Sequence, residues 1–503
     1  RPGQDTPTAE WRQEDPGIMP AGDIYGAGAP TGIAYYENGA LGKEWRGLLL
    51  SCEAARNVVF GYQPKPDGAG FSLERSQFFT TNPEQELAGV DSLRGKTSDA
   101  LITLFRPSDV TVGVDGAIYI ADWFDPRVGG HADHDATTSG AIYRVAPKGF
   151  KPSIPQFDLD TIEGQITALR SPAVNVRELG AARLRTAGDT ALDTVMALLD
   201  DENPFIGARA IALMPHLGSR GVASTRDLLT TDNPQVQVAA YRALRRQGLH
   251  TPANARDLLA SQSSAVAREV AVSLRDASLE TAIPLLVEIA TQYDGSDRTL
   301  LEAWGIGATG KESELFAALE ASKDPRFDRS TDRYVDLAWR LTPRAYVPQF
   351  FARAADSDLP EDRRLQALTA LGFIADESAA NAMFELSQSL SEGRVKDTAL
   401  WWVLNYMNLR WADTNLAETV KAAGVYDPEN VTIVPAEMPQ LDAEKQIPVE
   451  AVLALIGDPS AGADKAAACR LCHHFDGGGV NYGPALDGWV SRQGVEQAIL
   501  AIV

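Results

Sequence analysis

Two cysteines and a histidine near the end of the chain have the residue types and the spacing of a covalent haem attachment site. Cys469, Cys472 and His473 form the pattern Cys-x-x-Cys-His. In a c-type haem each thiol bonds to one vinyl group of the porphyrin, and the adjacent imidazole becomes an axial ligand of the iron. The pattern therefore predicts a haem c bound through Cys469 and Cys472, with His473 as the proximal iron ligand.

Two other kinds of site also use a Cys-x-x-Cys pair. A zinc site would need two further ligands, and the nearby candidate, His474, is too close to complete a tetrahedron alone. A dithiol of the thioredoxin kind would stand within a βαβ pattern, which the surrounding sequence does not have. Both alternatives stay open at this point, and the haem interpretation is the favoured one.

A glycine-rich segment follows the cysteines after ten residues. Gly483–Gly488 reads Gly-Pro-Ala-Leu-Asp-Gly and resembles the Gly-Pro-x-Leu-x-Gly segment of small class I cytochromes c. The resemblance implies an all-α cytochrome c domain in which the Pro484 carbonyl accepts the N–H of His473 and fixes its tautomer. In that family a downstream Met supplies the sixth iron ligand, whereas every Met of this chain precedes His473. We therefore expect an incomplete cytochrome segment; a bis-His or open iron is the alternative.

The bulk composition limits the classes of partner. A chain of 503 residues is too long for one core, and three domains are expected. The formal net charge of −22 excludes a nucleic-acid-binding protein, because such a surface could not release counterions from phosphates. The same charge favours docking to a basic redox partner protein. No run of 18 or more apolar residues is present, so no membrane span is predicted.

Two further features, the start of the sequence and Cys52, are relevant to the cellular compartment of the protein. The sequence begins at Arg1 without a signal peptide. Because haem is attached covalently outside the cytoplasm in bacteria, we expect a processed or incomplete chain in the periplasm or another extracytoplasmic compartment. Cys52 is left without a disulfide partner and is expected to be a small buried strand residue.

The order of local patterns predicts a multidomain, mixed fold. Residues 1–30 are rich in Pro, Gly and Asp and carry little periodicity, which indicates an extended arm. The segments that follow are strands at 31–150, a linker at 151–165, helical repeats at 166–412, a second linker at 413–448, and the cytochrome segment at 449–503.

Short β-rich runs dominate the strand region, and Gly, Pro, Asn or Asp residues separate most of them. Repeated short antiparallel strands are typical of β-propeller blades. Seven runs make about two four-stranded blades, which cannot close a ring, so the propeller is expected to be incomplete. The runs are 32–37, 47–52, 57–62, 70–74, 109–112, 116–122 and 140–145.

Four segments of this region carry a resemblance. Pro30–Tyr36, Trp45–Leu49, Phe105–Val110 and Val114–Asp122 resemble the last blades of soluble quinoprotein sugar dehydrogenases. The whole order resembles large bacterial cytochromes known as membrane-bound dehydrogenases of planctomycete type. Those proteins join a sorbosone/glucose-dehydrogenase-like propeller, a helical-repeat domain and a C-terminal haem-binding domain.

The resemblance implies a cofactor and residues that contact it. Arg106 falls at the position of a quinone-contacting Arg, and Asp122 at a nearby acidic position. Ser108 stands where the family has a second Arg, and Tyr25 aligns with an aromatic lid. Pyrroloquinoline quinone (PQQ) and calcium would be the cofactors, but the catalytic His and the calcium ligands belong to earlier blades that this sequence lacks. A salt bridge at the blade edge is the alternative role for Arg106.

A polar loop at 125–138 is a second candidate metal site. His131, Asp133, His134 and Asp135 stand within five residues, and imidazole and carboxylate are both competent ligands. A solvated loop between blades is the alternative interpretation, because the spacing matches no known metal motif.

A repeat of 30 residues marks the helical region. Asn203-Pro204 and Asn233-Pro234 keep this spacing, and Ser263-Ser264 follow in register. Pro at the first helical position starts a helix, and one apolar helix face must be covered by a neighbour. The pattern resembles short HEAT-type repeats, and we expect a helical scaffold for partner docking.

Three functions are compatible with these observations. The favoured one is an electron-transfer protein with one covalently attached haem. The second is a PQQ-dependent sugar or alcohol dehydrogenase with the haem as internal acceptor, for which the catalytic blades are missing from this chain. The third is a structural or assembly subunit of a larger complex.

Overall fold

The computed structural model combines antiparallel sheets with many helices in a mixed fold. The chain divides into two compact units, Arg1–Tyr426 and Asp427–Val503. The structure describes residues 1–4, 15–26, 28–84, 105–124, 140–427, 449–471, 473–475, 477–478 and 486–502.

The strands of the first unit form three antiparallel sheets. One sheet has the order β1-β2-β3-β6, a second pairs β4 with β5, and a third has the order β7-β8-β9. Two of these strands, β4 and β6, were not among the seven expected runs. The strands are β1 (Pro30–Tyr36), β2 (Leu48–Glu53), β3 (Val58–Tyr62), β4 (Lys65–Asp67), β5 (Gly70–Ser72), β6 (Arg75–Thr80), β7 (Pro107–Val112), β8 (Ile118–Asp122) and β9 (Ala141–Val145).

The four-stranded and three-stranded sheets share one hydrophobic core. Leu50 and Val59 from the first sheet pack in the same cluster as Val110 and Ile120 from the third. Cys52 belongs to this cluster and is fully buried, as its position in an apolar strand led us to expect. The two sheets therefore stabilise each other through apolar burial.

Helices make up the remainder of both units. The first unit contains α1 (Ile162–Leu169), α2 (Val174–Ala187), α3 (Leu192–Met196), α4 (Pro204–Leu213), α5 (Ser219–Asp227), α6 (Pro234–Arg246), α7 (Pro252–Leu259), α8 (Ser264–Ser273), α9 (Leu279–Gln292), α10 (Arg298–Gly307), α11 (Glu312–Ala321), α12 (Asp332–Leu341), α13 (Val347–Ala355), α14 (Glu361–Phe373), α15 (Glu377–Ser389), α16 (Arg394–Tyr406) and α17 (Leu416–Ala422). The second contains α18 (Val449–Leu453), α19 (Pro459–Ala466), α20 (Trp489–Gln493) and α21 (Val495–Ile502).

The helix starts predicted from the 30-residue spacing are confirmed at two places. Helix α4 begins at Pro204, and the Asn203 side chain accepts a hydrogen bond from the backbone N–H of Phe205. Helix α6 begins at Pro234, and Asn233 caps it in the same way. Each Asn satisfies a backbone donor that the helix itself cannot pair.

The helices of the first unit pack in two rows. Each even-numbered helix from α4 to α14 contacts the next even-numbered helix, and we call the helices from α4 to α16 with even numbers the even row. In a second row, α9 contacts both α7 and α11. The interior between the rows is apolar and includes the fully buried Trp304, Trp402 and Trp411. Helix α17 lies within the segment predicted as a linker and packs there through the buried Leu416 and Val420.

The strand region and the N-terminal arm both lie against the even row. The Asp297 carboxylate, at the start of α10, accepts the backbone N–H of Ala69 at 2.7 Å. Further along the row, Glu302 of α10 accepts the backbone N–H of Gly17 at 3.0 Å. Arg394 of α16 donates to the carbonyl of Pro2 at 3.2 Å. These bonds hold elements that are hundreds of residues apart in sequence within one compact unit.

Among the described residues, no helix is long and apolar enough to cross a membrane.

Candidate functional site

A capped helix leads into the cysteine-bearing turn of the second unit. The Asp458 side chain accepts the backbone N–H groups of Ser460 at 2.9 Å and Ala461 at 3.3 Å, which starts α19 at Pro459. A short 3-10 helix, Ala467–Leu471, continues directly from α19. The cap and the proline together fix where the helix starts, and Cys469 lies in the turn that follows its end.

Cys469 and His473 are one helical turn apart. The backbone N–H of His473 donates to the Cys469 carbonyl at 2.8 Å. This bond closes a single turn of backbone between the two residues. Cys469 is exposed and His473 is partly buried. Cys472 lies outside the described residues.

The next histidine connects this turn to the glycine-rich segment. The His474 carbonyl accepts the backbone N–H of Leu486 at 2.9 Å. Its Nδ1 lies 2.9 Å from the Asp487 carboxylate. The end of the Gly-Pro-x-Leu-x-Gly segment is therefore held against the residue that follows His473. Pro484, expected to accept from His473, lies outside the described residues.

The second unit exposes apolar side chains. None of its described residues is buried, and Leu455 and Ile456 are 72% and 102% exposed. Val490 in α20 and Val495 in α21 are also exposed. Contact with the apolar face of a porphyrin would remove such side chains from water, at about 25 cal/mol per Å² buried. The exposed thiol of Cys469 and the nearby imidazole of His473 are the residue types that a covalently bound haem requires.

Arg106 and Asp122 contact each other inside the strand region. The backbone N–H of Arg106 donates to Asp122 Oδ1, and its guanidinium donates to the Ala54 carbonyl, both at 2.8 Å. Arg106 is 1% exposed and Asp122 is 4% exposed. Within the described residues both side chains hold β2, β7 and β8 together and present no surface to a quinone. Their cofactor role stays a prediction.

The other two residues of the implied quinone site also have partners in the strand region. Ser108 donates to the carbonyl of Ala121 at 3.3 Å, across the pair β7–β8. The Tyr25 hydroxyl donates to Glu53 at 2.7 Å. Burial, followed by this hydrogen bond to a carboxylate, raises the pKa of Tyr25. Tyr25 therefore serves as a neutral donor to Glu53.

Glu53 is a buried carboxylate that no sequence pattern marks as a site residue. It is fully buried and accepts the backbone N–H groups of Ala29 at 2.6 Å and Ala55 at 2.9 Å, besides the Tyr25 hydroxyl. A buried charge requires such donors. No local motif marks it, because its partners come from separate parts of the chain.

The second candidate metal site cannot be placed. His131, Asp133, His134 and Asp135 lie outside the described residues, and metal binding there stays a prediction. Across the part of the chain that the structure describes, no group of three or more His, Cys, Asp or Glu residues could hold a metal ion.

Comparisons with known proteins concern the strand region and the helices. A family model described as a domain of unknown function (DUF7133) matches residues 8–149. No curated protein matches. Among solved structures, the chain is similar to the CpcE–CpcF complex of phycocyanin lyase from Nostoc sp. PCC7120, at 20% identity, 56% of this chain, 100% of that chain and a TM-score of 0.19. An engineered protein matches at 16% identity, 61% of this chain, 76% of that chain and a TM-score of 0.18. These TM-scores are too low to carry an argument about fold or function.

Proposed function

We propose that the protein is an extracytoplasmic c-type cytochrome that carries electrons through one covalently attached haem. The observation that carries the proposal is the Cys-x-x-Cys-His pattern, in which Cys469 is exposed and His473 follows one helical turn later. The exposed apolar side chains of the second unit support it, because a porphyrin needs an apolar surface.

Each residue of the site has a distinct role in this proposal. The thiols of Cys469 and Cys472 hold the haem through thioether bonds, and the His473 imidazole binds the iron. The bound haem supplies one-electron oxidation and reduction. The His474–Asp487 contact holds the turn against the glycine-rich segment, which limits the orientations open to His473.

The first unit serves as a scaffold for partner proteins in this proposal. Helix starts at a 30-residue spacing, Asn caps and packing in two rows support a HEAT-like solenoid. The antiparallel four-stranded sheet β1-β2-β3-β6 supports a propeller blade, because its strands are neighbours in chain order once the separate β4–β5 pair is set aside. The net charge of −22 favours a basic redox partner or a basic subunit of a larger complex.

A pyridine haemochrome spectrum tests the proposal directly. The full chain is produced in a bacterial host that attaches haem c to exported proteins. We expect the α band of a c-type haem and haem staining that survives denaturing electrophoresis. A chain without the c-type band, or one whose haem is lost on denaturation, would contradict the proposal.

Three variants assign the residues. We expect Cys469→Ser to lose one thioether and shift the α band toward that of a haem with a free vinyl group. We expect His473→Ala to change the absorption spectrum of the iron. His474→Ala is the matched control, since His474 is the adjacent imidazole and contacts Asp487 instead. If His474→Ala changes the spectrum as much as His473→Ala, the assignment of the ligand is wrong.

A further inference from the structure

A cavity of about 660 Å³ lies in the first unit between the start of the N-terminal arm and four helices of the even row. Side chains from α10, α12, α14 and α16 line it, together with Tyr293 and arm residues Arg1, Pro2 and Gln4. This volume is within the range of small-molecule sites in proteins, about 300–1,000 Å³. The cavity is separate from the haem site, which belongs to the second unit.

The buried carboxylate of the cavity is already fully paired. Asp336 Oδ1 accepts from Gln366 Nε2 at 2.8 Å and from Arg363 Nη1 at 3.1 Å. Its Oδ2 accepts the Tyr293 hydroxyl at 3.2 Å. These three donors, one of them the Arg363 guanidinium, occupy most of the acceptor sites of Asp336, so this carboxylate has little capacity left to bind a cationic ligand.

The unused hydrogen-bonding capacity of the cavity consists of donors. Trp339 is 3% exposed and its indole Nε1 has no hydrogen-bond partner among the described residues. Thr398 is 4% exposed, and its hydroxyl also has no hydrogen-bond partner among the described residues. Indole N–H groups can only donate, and a buried donor without a partner costs about 1–3 kcal/mol. Both residues line the cavity, where a ligand would supply the missing acceptor.

One guanidinium at the cavity is only loosely held. Arg394 makes a bond of 3.2 Å to the Pro2 carbonyl and an ion pair of 3.4 Å with Glu361. The Arg394 side chain is 41% exposed and that of Glu361 is 54% exposed, so their pairing is screened by water. Within the described residues, Arg394 Nη2 donates to no partner, and a guanidinium fork prefers planar oxyanions.

We propose that this cavity binds a small organic carboxylate with an apolar body. The carboxylate takes the N–H groups of Arg394 and the hydroxyl of Thr398, and the apolar body packs on Leu301 and Leu365, which also line the cavity. The carboxylate of Asp362 is at the rim and is exposed, where solvent weakens its repulsion of an anion.

Titration calorimetry on the full chain tests this site with benzoate and hexanoate as probes. Benzamide and hexanamide are their neutral counterparts of the same shape. We expect saturable binding of at least one acid and binding at least tenfold weaker for its amide, because a charged hydrogen bond is lost. No saturable binding of either acid, or equal affinity of acid and amide, overturns the proposal.

Variants localise the binding to the cavity. We expect Arg394→Gln and Thr398→Val each to weaken the acid about tenfold or more. Arg344→Gln removes the same charge at an exposed Arg away from the cavity, paired with Asp376, and should leave the affinity unchanged. If both cavity variants keep the affinity of the natural chain, the site is not where we place it. Circular dichroism checks that each variant folds, and Thr398→Val decides the outcome if Arg394→Gln does not fold.

Discussion

Glu37 and Arg209 form an ion pair between the strand region and the even row. Arg209 Nε donates to Glu37 Oε2 at 3.0 Å, and a second nitrogen of the same guanidinium contacts that oxygen. Arg177 of α2 donates to it at 3.2 Å. The Glu37 side chain is only 18% exposed, so one carboxylate, placed directly after β1, receives two guanidiniums in a largely desolvated position.

The first prediction concerns this ion pair. We expect Glu37→Gln to lower the free energy of unfolding by about 2–3 kcal/mol, because two partly buried guanidiniums lose their charged partner. Urea unfolding followed by tryptophan fluorescence measures the change. Glu202→Gln is the matched control: Glu202 pairs with Arg46 but is 84% exposed, so its loss should be about 0.5 kcal/mol or less. Equal losses would show that Glu37 is not desolvated in solution.

The second prediction compares the two Asn caps of the 30-residue repeat. Asn233→Ala should cost about 1 kcal/mol, the usual contribution of an N-cap. Asn203→Ala should cost about 2 kcal/mol, because Asn203 Nδ2 also donates to the Glu37 carbonyl at 3.2 Å and the residue is 4% exposed. The same urea titration measures both. A smaller effect at Asn203 than at Asn233 would contradict the contact with the strand region.

The third prediction is a pH dependence. Burial alone would raise the pKa of Glu269, but the hydrogen bond and charge of Arg242, followed by those of Arg268, outweigh it and lower the pKa below the ordinary 4.5. Ionised Glu269 therefore stabilises the fold fully at pH values above its ordinary pKa. This stabilisation is lost as the pH falls through the lowered pKa that Glu269 has in the folded chain.

A variant isolates this contribution. Glu269→Gln should unfold at lower urea than the natural chain at pH 7, and the difference between the two midpoints should shrink at pH 3. A difference that stays constant or grows on acidification would assign the effect to packing rather than to charge.

The fourth prediction concerns thiol reactivity. Burial, and then the nearby Asp109 carboxylate, raises the pKa of Cys52 to about 12. At pH 8 roughly one Cys52 thiol in ten thousand is then a thiolate, the reactive form. In chain produced without haem, iodoacetamide should modify the exposed Cys469 and spare Cys52, as read by peptide mass spectrometry. Concentrated urea should make both react, and equal rates in the folded protein would contradict the burial.

Local patterns predicted the elements better than the contacts between them. The starts of α4 and α6 could be predicted because Asn-Pro caps act within one turn of Pro204 and Pro234. Strand β6 was not predicted because its first three residues are polar and exposed, so the segment shows no alternation of apolar and polar residues. The pairing of Glu37 with Arg209 joins residues 172 apart, and no sequence pattern marks such a distance.

In the candidate site too, local patterns predict some residues, whereas contacts between distant parts of the chain are not predictable. The Cys-x-x-Cys-His pattern predicts which residues would hold a haem, because the chemistry itself fixes the spacing. The burial of Arg106 was not predictable, since its guanidinium donates to a backbone carbonyl, that of Ala54, and any residue type could supply one.

The contact between Arg394 and Pro2 has a consequence for biosynthesis. The two residues are 392 positions apart, so Pro2 is made long before its partner Arg394. At about 5–20 residues per second this interval is roughly 20–80 s on the ribosome. A stack of helices can form progressively from neighbour contacts, but the arm can dock only after α16 has been made. The nascent protein therefore has a late step in which Arg1 and Pro2 dock on α16, and this step covers the Trp402 ring, over which the Arg1 guanidinium lies.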